Sequence, residues 1–502
     1  MLARLASASL RGLYAEPVQV EVDLSRGLPA WSMVGLAEAA VREARDRVRS
    51  ALLNAGFEFP LRRITVNLSP ADRRKDGTHF DLNVAIGLLL ASGQLRHQGE
   101  MPFMIGELAL DGRMNAVRGV LPLALFARDQ GFDTLIVPPG NADEAVIVKG
   151  LTILPANSLL DVARHLSGKD ALPAAEAIHM ERSPENVPDM ADIRGQQQAR
   201  RAIEIAAAGR HNLLMIGPPG VGKTMLARRM CGILPPLNIE QRLEVSRIYS
   251  ICGDGGRHPL SAVPPFRSPH HTASDAAIIG GGTSPRPGEV SRAHLGLLFL
   301  DELAEFRRQV LEVLRQPLED GRVCIARAAE ALEYPADFQL IAAMNPCPCG
   351  YLGHPRRPCG CSPTQIRRYR GRISGPLLER IDLQVQVPPV DKEELTRMQP
   401  GEPSANVASR VENAREIQSK RLGEGRCNAG MSTRELEKHA KPDADGARLL
   451  DAAMERFGLS ARSYHRVIKV ARTIADLDER ESVATSHIAE ALQYREDTES
   501  PT

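Results

Sequence analysis

Hydrophobic and polar positions alternate early in the chain. Val18-Gln19-Val20-Glu21-Val22 places its apolar residues on one side, as a half-buried strand does, and Ile64-Thr65-Val66-Asn67-Leu68 repeats the pattern. Between them, residues 38–54 set Ala40, Val41, Ala44, Val48 and Leu52 at near-helical spacing. Residues 121–130 predict a further helix, and residues 134–139 a strand that ends at two prolines. The N-terminal third therefore reads as a mixed α and β domain over residues 1–168. Residues 169–188 mix Ala, Pro, Glu and Ser without any period and predict a linker.

The pattern changes after residue 189. A helix is predicted over residues 197–208, followed by the short apolar run Leu213-Leu214-Met215-Ile216. Directly after that run comes Gly217-Pro218-Pro219-Gly220-Val221-Gly222-Lys223-Thr224, which opens a helix over residues 225–229. Strand, glycine loop and helix in this order form a P-loop. Its glycines let backbone N–H groups turn toward phosphate, and the helix N-terminus adds partial positive charge. Lys223 is placed to reach the β- and γ-phosphates of ATP, and the Thr224 hydroxyl to ligate Mg²⁺. A chance glycine loop would lack the correct flank on each side.

Two more apolar runs end in polar residues. Residues 295–300 predict a strand that stops at Asp301 and Glu302, and residues 340–344 a strand that stops at Asn345. Strand ends are where doubly wound sheets place ligand chemistry. Asp301 suits the Mg²⁺ shell, Glu302 the base that deprotonates attacking water, and Asn345 the group that positions that water. Residues 321–338 alternate enough to predict a hairpin carrying Arg322 and Arg327. Near the C-terminus, Ser432-Thr433-Arg434-Glu435 is a capping-box signal, with helices expected over residues 444–457, 461–475 and 485–494. The expected divisions are an ATPase core over 189–390 and a helical lid over 391–502.

Composition narrows the reading. A chain of 502 residues has room for roughly three domains at about 150 residues each. With 43% hydrophobic and 25% charged residues it is ordinary for a soluble protein. The net charge of +1 leaves any nucleic-acid affinity to local patches. Trp31 is the only tryptophan, so base-stacking platforms are not the expected binding device. No apolar run approaches 18 residues and no signal-like segment starts the chain, so neither a membrane span nor secretion is expected.

Four of the eight cysteines crowd into Cys347-Pro348-Cys349 and Cys359-Gly360-Cys361. This is no disulfide frame, and a reducing cytoplasm is expected. Four thiolates suit tetrahedral Zn²⁺, although Cys-x-Cys departs from the usual Cys-x₂-Cys knuckle, and His354 is an alternative ligand. From Cys347 through Leu378 there is no Asp or Glu, while Arg356, Arg357, Arg367, Arg368, Arg370 and Arg372 supply a local positive field beside Tyr369. Such a patch can neutralise several phosphates, and these arginines are candidate DNA contacts.

The phosphate-binding motifs, together with Pro287-Gly288-Glu289-Val290-Ser291, Asn345-Pro346-Cys347-Pro348-Cys349-Gly350 and Ser374-Gly375-Pro376-Leu377-Leu378-Glu379-Arg380-Ile381-Asp382, resemble the magnesium-chelatase-like YifB/ComM family of AAA+ ATPases. The similarity runs nearly the full length. It implies an α/β AAA+ core, a homo-hexameric ring, and an ATP-dependent DNA motor or helicase acting on single-stranded or branched DNA. Within that family the expected role is branch migration in homologous recombination during natural transformation. The resemblance also implies an arginine finger at Arg380, with Arg372 the rival, and a sensor arginine at Arg462, with Arg466 and Arg472 as alternatives. Segments 267–294, with Arg286, Arg292 and His294, and 321–338 are implied to line a pore.

The N-terminal third resembles the Lon-protease-like domain that precedes such ATPases, through Asn67-Leu68-Ser69-Pro70, Lys75-Asp76-Gly77 and residues 120–131. Lon-type proteases carry a serine after this turn and a lysine in the later segment. Here Thr78 and His79 follow the turn, and no lysine lies between Arg118 and Arg128. A hydroxyl nucleophile without a base does not fire, so the domain is expected to be non-proteolytic. The rival activities are a chelatase motor for Mg²⁺ insertion into a porphyrin and an ATP-dependent protease.

Overall fold

A computed structural model describes residues 1–176, 187–255, 260–282, 285–327, 330–389, 401–457 and 460–495. Residues 177–186 of the expected linker and 391–400 of the expected lid lie outside the described residues. Contacts divide the chain into two units. The first comprises Met1–Glu181, Ile239–Ser261 and Pro285–Pro287; the second comprises Arg182–Asn238, Ala262–Ser284 and Gly288–Thr502.

In the first unit, strands Leu2–Arg11 and Tyr14–Ser25 form an antiparallel hairpin in the register Leu5↔Val20. Arg63–Ser69 pairs antiparallel with the second strand, and Ala30–Val34 runs parallel beyond it. Val18, Val20, Val22 and Leu24 bury one face, as their alternation requires. The helix Asp81–Ser92 packs on that face and is buried almost throughout. Its first residue is held by Arg47, whose Nε and Nη2 donate to Asp81 across 2.6 and 3.0 Å. The helix expected over 38–54 is broken at Glu43 into Ala39–Arg42 and Ala44–Asn54. A second, parallel sheet joins Phe103–Met104, Thr134–Val137 and Thr152–Pro155, covered by helix Val120–Asp129.

Helix Ile239–Cys252 belongs to this unit although it lies within the stretch expected to be ATPase core. It buries Val245, Ile248, Tyr249 and Ile251, and Ser250 Oγ accepts the Leu121 N–H at 3.3 Å. Glu144 accepts the same N–H at 3.0 Å. Burial of this helix against Val120–Asp129 is a long-range event that local periodicity does not encode.

The second unit is built on a five-stranded sheet in the order Phe266–Arg267, Leu297–Leu300, Gln339–Met344, Leu213–Ile216, Leu383–Gln386. Every neighbouring pair is parallel. The three central strands are buried at every position, which is why they read as continuous apolar runs rather than alternations. The strand expected from residue 295 begins at Leu297, since Leu295 takes a left-handed φ of 58°. Helix Gln197–Gly209 precedes the Leu213 strand and Lys223–Arg229 follows the loop. The C-terminal helices Ser404–Leu422, Thr433–His439, Ala444–Phe457, Ala461–Leu477 and Thr485–Gln493 share one hydrophobic cluster with the sheet. Helix Thr433–His439 carries the expected capping box, Ser432 with Glu435. The hairpin expected over 321–338 is present as Arg322–Arg327 paired with Glu330–Pro335. No helix among the described residues is long and apolar enough to cross a membrane.

Candidate functional site

Parallel pairing places the three chemistry-bearing strand ends side by side. Ile216↔Met344 and Leu300↔Ala342 are in register, so Gly217, Asn345 and Asp301 emerge at one edge of the sheet. The loop turns through Gly220 and Gly222 at φ of 80° and 92°, which residues with a Cβ rarely adopt. Lys223 is buried, and its Nζ donates to Gly217 O at 2.6 Å, Pro218 O at 2.9 Å and Asn345 Oδ1 at 3.2 Å. Burial lowers its pKa, opposed by Asp301 and Glu302. The amine is thus tied to the loop and to the end of the neighbouring strand at once.

Thr224 Oγ1 donates to Asp301 Oδ2 at 2.6 Å, so the expected Mg²⁺ ligands converge from two elements. A hydroxyl and a carboxylate, both oxygen donors, fit a hard divalent cation beside phosphates. Glu302 sits in the left-handed region at φ 51°, and its N–H donates to Asp301 Oδ1 at 2.9 Å. That turn separates the two carboxylates, leaving the Glu302 side chain half exposed and 3.1 Å from His271 Nδ1. The sequence reading missed His271. It follows a strand of only two residues, Phe266–Arg267, too short to register as an alternation.

Arg380 and Arg462 are brought together, at the other end of the sheet. Leu213 pairs with Leu383, and the Asn212 side-chain amide donates to Arg380 O at 2.8 Å. A strand length, roughly 13 Å at about 3.3 Å per residue, separates that end from Gly217. Arg380 is 9% exposed, pairs with Glu319 and donates to Pro376 O at 2.5 Å. Arg462 is exposed and lies 3.1 Å from Glu379. Both line a cavity of about 490 Å³ with Arg210, Arg426, Arg466 and Lys469. Within one chain neither arginine meets Lys223. The rivals have partners of their own: Arg372 has Ala304 O and Glu305, Arg466 in the same cavity has Asp382, and fully buried Arg472 has Asp476.

The four cysteine sulfurs converge. Sγ atoms of Cys347, Cys349, Cys359 and Cys361 all lie within 4.8 Å of one another, with Cys347–Cys349 at 3.3 Å and each of these 3.6 Å from Cys359. Zn–S bonds of about 2.3 Å put tetrahedral sulfurs roughly 3.8 Å apart, so the cluster has the dimensions of a Zn²⁺ site. The Tyr351 backbone N–H lowers Cys349 to about 6, whereas Cys347, Cys359 and Cys361 are raised, Cys347 chiefly by burial. His354 does not join them: its Nδ1 accepts the Arg356 and Arg357 N–H groups at 3.1 and 3.2 Å.

Arg356, Arg357, Arg367 and Arg368 are exposed, and Arg370 is half-buried with Nε donating to Pro346 O at 3.4 Å. Arg357 lies over the Tyr351 ring at 5.3 Å and donates to its hydroxyl at 2.9 Å. Tyr369 is buried and offers no stacking face. Two basic residues expected on the glycine-rich insert also turn inward: Arg292 is 3.5 Å from Glu289, and buried His294 accepts the Asp337 N–H at 3.1 Å. Arg286 remains exposed, and Arg322 pairs with Glu333 at 3.1 Å; the Arg327 side chain lies outside the described residues.

The family described as "Magnesium chelatase, subunit ChlI" matches residues 189–395, "Subunit ChlI of Mg-chelatase" matches 20–141, and "Magnesium chelatase, subunit ChlI C-terminal" matches 401–495. The Competence protein ComM of Haemophilus influenzae is 47% identical over 98% of this chain and 97% of its own. The chain belongs to the magnesium-chelatase-like YifB/ComM family of AAA+ ATPases. YifB of Escherichia coli is 45% identical over 96% of this chain and 95% of its own. Lon protease 2 of Bacillus subtilis is 27% identical over 31% of this chain and 32% of its own. In a family member of this kind, the P-loop, Asp301 and Thr224 imply ATP and Mg²⁺.

The Lon-like turn holds no protease dyad among the described residues. Lys75 Nζ is spent on Pro70 O and on Arg73 O, the latter at 2.7 Å. His79 is buried, its Nε2 lies 2.8 Å from Ala8 O, and burial lowers its pKa to about 4.

Proposed function

We propose that this chain is a cytoplasmic, ring-forming ATP-dependent DNA motor that migrates branched DNA during homologous recombination, as in natural transformation. The observation that carries the ring is the separation of Arg380 and Arg462 from their own P-loop by the length of the sheet. A γ-phosphate stabiliser that cannot serve its own subunit serves a neighbour, which requires an oligomer, and the family expectation for that oligomer is a homo-hexameric ring. Lys223 and the loop amides bind the ATP phosphates, and Thr224 and Asp301 would hold Mg²⁺, which would supply screening of phosphate charge. Glu302 takes the proton of the attacking water and Asn345 orients it. Arg380, released from Glu319, and Arg462, released from Glu379, offer their guanidiniums to the adjoining site.

DNA is the favoured track because Arg356, Arg357, Arg367 and Arg368 are exposed on a stretch without acidic residues. The full-length relative named a competence protein supports the same reading. We assign Zn²⁺ to Cys347, Cys349, Cys359 and Cys361, where it would close the loop that presents Arg356 and Arg357. The Lon-like N-terminal unit serves as a non-proteolytic scaffold. A chelatase motor is the second reading, favoured by the family descriptions of residues 189–395 and 401–495.

The deciding experiment measures ATP hydrolysis with single-stranded, duplex and branched DNA, and strand displacement on the branched substrate. Stimulation by DNA with displacement is expected. Hydrolysis indifferent to all three, with no DNA binding at low salt, would overturn the DNA reading and favour the chelatase one.

A further inference from the structure

We propose that the four-cysteine knot, closed by Zn²⁺, is a buttress of the nucleotide site: it fixes Asn345 against the P-loop, so that metal controls hydrolysis rather than nucleotide binding. The proposal rests on the reading of Asn345 as the water-positioning residue.

The knot begins two residues beyond Asn345, at buried Cys347. Its first turn lies on the P-loop itself. Gly350 has φ 83°, and a methyl group there would come within 2.7 Å of Pro219 Cδ, so backbone packs directly on the loop. Asn345 in turn receives Lys223 Nζ at 3.2 Å. From the far side, helix Pro363–Arg370 closes on the same peptide: Arg370 donates to Pro346 O, and the Tyr369 hydroxyl, pushed up to about 12 chiefly by burial, meets the Asn345 backbone. The stretch from Asn345 to Gly350 is therefore held between the P-loop and this helix.

Apart from the sulfurs, the knot is ordered by short contacts within itself, Arg357 on the Tyr351 hydroxyl and His354 Nδ1 accepting the Arg356 and Arg357 N–H groups. Residues 347–361 contain Gly350, Gly353 and Gly360 with Pro348, Pro355 and Pro358, and form no helix or strand. Cys347 is the one buried side chain in the stretch, so no apolar core tethers it. A loop of this kind needs a cross-link to hold one shape, and metal ligation supplies it. Backbone amides already turn toward sulfur: Leu352 N–H donates to Cys347 Sγ at 3.3 Å and Cys361 N–H to Cys359 Sγ at 3.4 Å. These bonds orient thiolates inward, as second-shell donors orient metal ligands. Without the cross-link the far end of the loop frays, and helix Pro363–Arg370, which follows directly from Cys361, is no longer fixed against Asn345 and Pro346. Displacement of a positioning group by about 1 Å costs on the order of 100-fold in rate, while the amides and Lys223 that bind phosphate stay in place.

The test uses the full chain purified without chelator. Metal analysis should find about one zinc per chain, the stoichiometry of a closed four-ligand site. Cys359→Ser/Cys361→Ser should lose the zinc, keep its affinity for a fluorescent ATP analogue within about threefold, and lower turnover on the order of 10- to 100-fold. Adding Asn345→Ala to that variant should cost nothing further, because both changes remove one function. Cys361→His keeps four ligands and should restore both zinc and turnover. Absence of zinc in the unaltered chain overturns the metal site. A zinc-free variant that hydrolyses normally, or that no longer binds the analogue, overturns the buttress. If Asn345→Ala alone hydrolyses ATP normally, the role given to Asn345 fails, and that result is distinct from failure of the knot.

Discussion

Thr224 Oγ1 donates to Asp301 Oδ2 across 2.6 Å, although 77 residues separate them in the chain. Two oxygen donors so close offer a third of an octahedral Mg²⁺ shell before nucleotide arrives. Asp301→Asn should therefore raise the Mg²⁺ concentration needed for half-maximal hydrolysis, read by titrating Mg²⁺ at saturating ATP. Lys223→Ala should abolish nucleotide binding, because the amine buried beside Gly217 is the cation facing the phosphates. Nucleotide affinity retained in that variant would count against the P-loop assignment.

Glu302→Gln should bind ATP and fail to turn it over, since an amide takes no proton from water. His271, 3.1 Å from Glu302, steadies a carboxylate that the left-handed turn leaves half exposed. His271→Ala is expected to lower turnover roughly tenfold with unchanged ATP affinity, and His271→Asn, which keeps a donor near the Nδ1 position, to recover most of it. Steady-state kinetics beside equilibrium binding separate the two effects. Equal losses in Ala and Asn variants would remove the positioning role.

Arg380→Ala and Arg462→Ala should each bind ATP normally and hydrolyse it poorly. When either is mixed with Glu302→Gln, some interfaces combine an intact base with an intact arginine, so activity should reappear in mixed rings. Verified mixed assemblies that stay inactive would place the arginines outside the neighbour's site.

What could be read from the sequence follows from the range of the forces involved. Leu213–Ile216 and Gln339–Met344 were legible because strands buried on both faces leave continuous apolar runs, and each ends at its own chemistry. The N-terminal strand Leu2–Arg11 was not, because its buried face includes Ala3, Ser7 and Ser9, which carry little hydrophobic signal. Strand Leu383–Gln386 went unread for a related reason, being four residues long with polar Gln384 and Gln386. The assignment of Ile239–Cys252 to the first unit depends on contacts more than 100 residues away in sequence, such as Ser250 to Leu121. Lys223, Asp301, Glu302 and Asn345 are readable as a set because adjacent strand ends converge in any parallel sheet. Their separation from Arg380 required the register Leu213↔Leu383.

His79 gives the first unit an acid-side weakness. Burial holds its folded-state pKa at about 4, below the ordinary value of 6.5. The unfolded chain therefore binds the proton more readily, and the stabilising difference is complete above about pH 6.5 and lost as pH falls toward 4. A gap of that size is worth about 3 kcal/mol at most. His79→Gln should flatten the fall in melting temperature across that window relative to the unaltered chain. Parallel slopes for the two proteins would show that His79 takes up no proton on unfolding.

Arg367 and Arg368 stand exposed on helix Pro363–Arg370, whose start is fixed by the capping box of Ser362 and Gln365. A rigid helix presenting two guanidiniums contacts phosphates without ordering cost in the backbone. Each such contact releases condensed counterions, so binding weakens with salt in proportion to the number of phosphates neutralised. Arg367→Ala/Arg368→Ala should reduce the slope of log affinity against log salt by about 1.4 for single-stranded DNA, taking about 0.7 per contact. Affinity should fall equally for unrelated sequences, as expected for backbone contacts. Neither residue touches the P-loop, so basal ATP affinity should hold while DNA-stimulated hydrolysis declines. Fluorescence anisotropy across a salt series reads the slope directly. An unchanged slope with weaker binding would mean that these arginines support the fold of the patch rather than meet the phosphates.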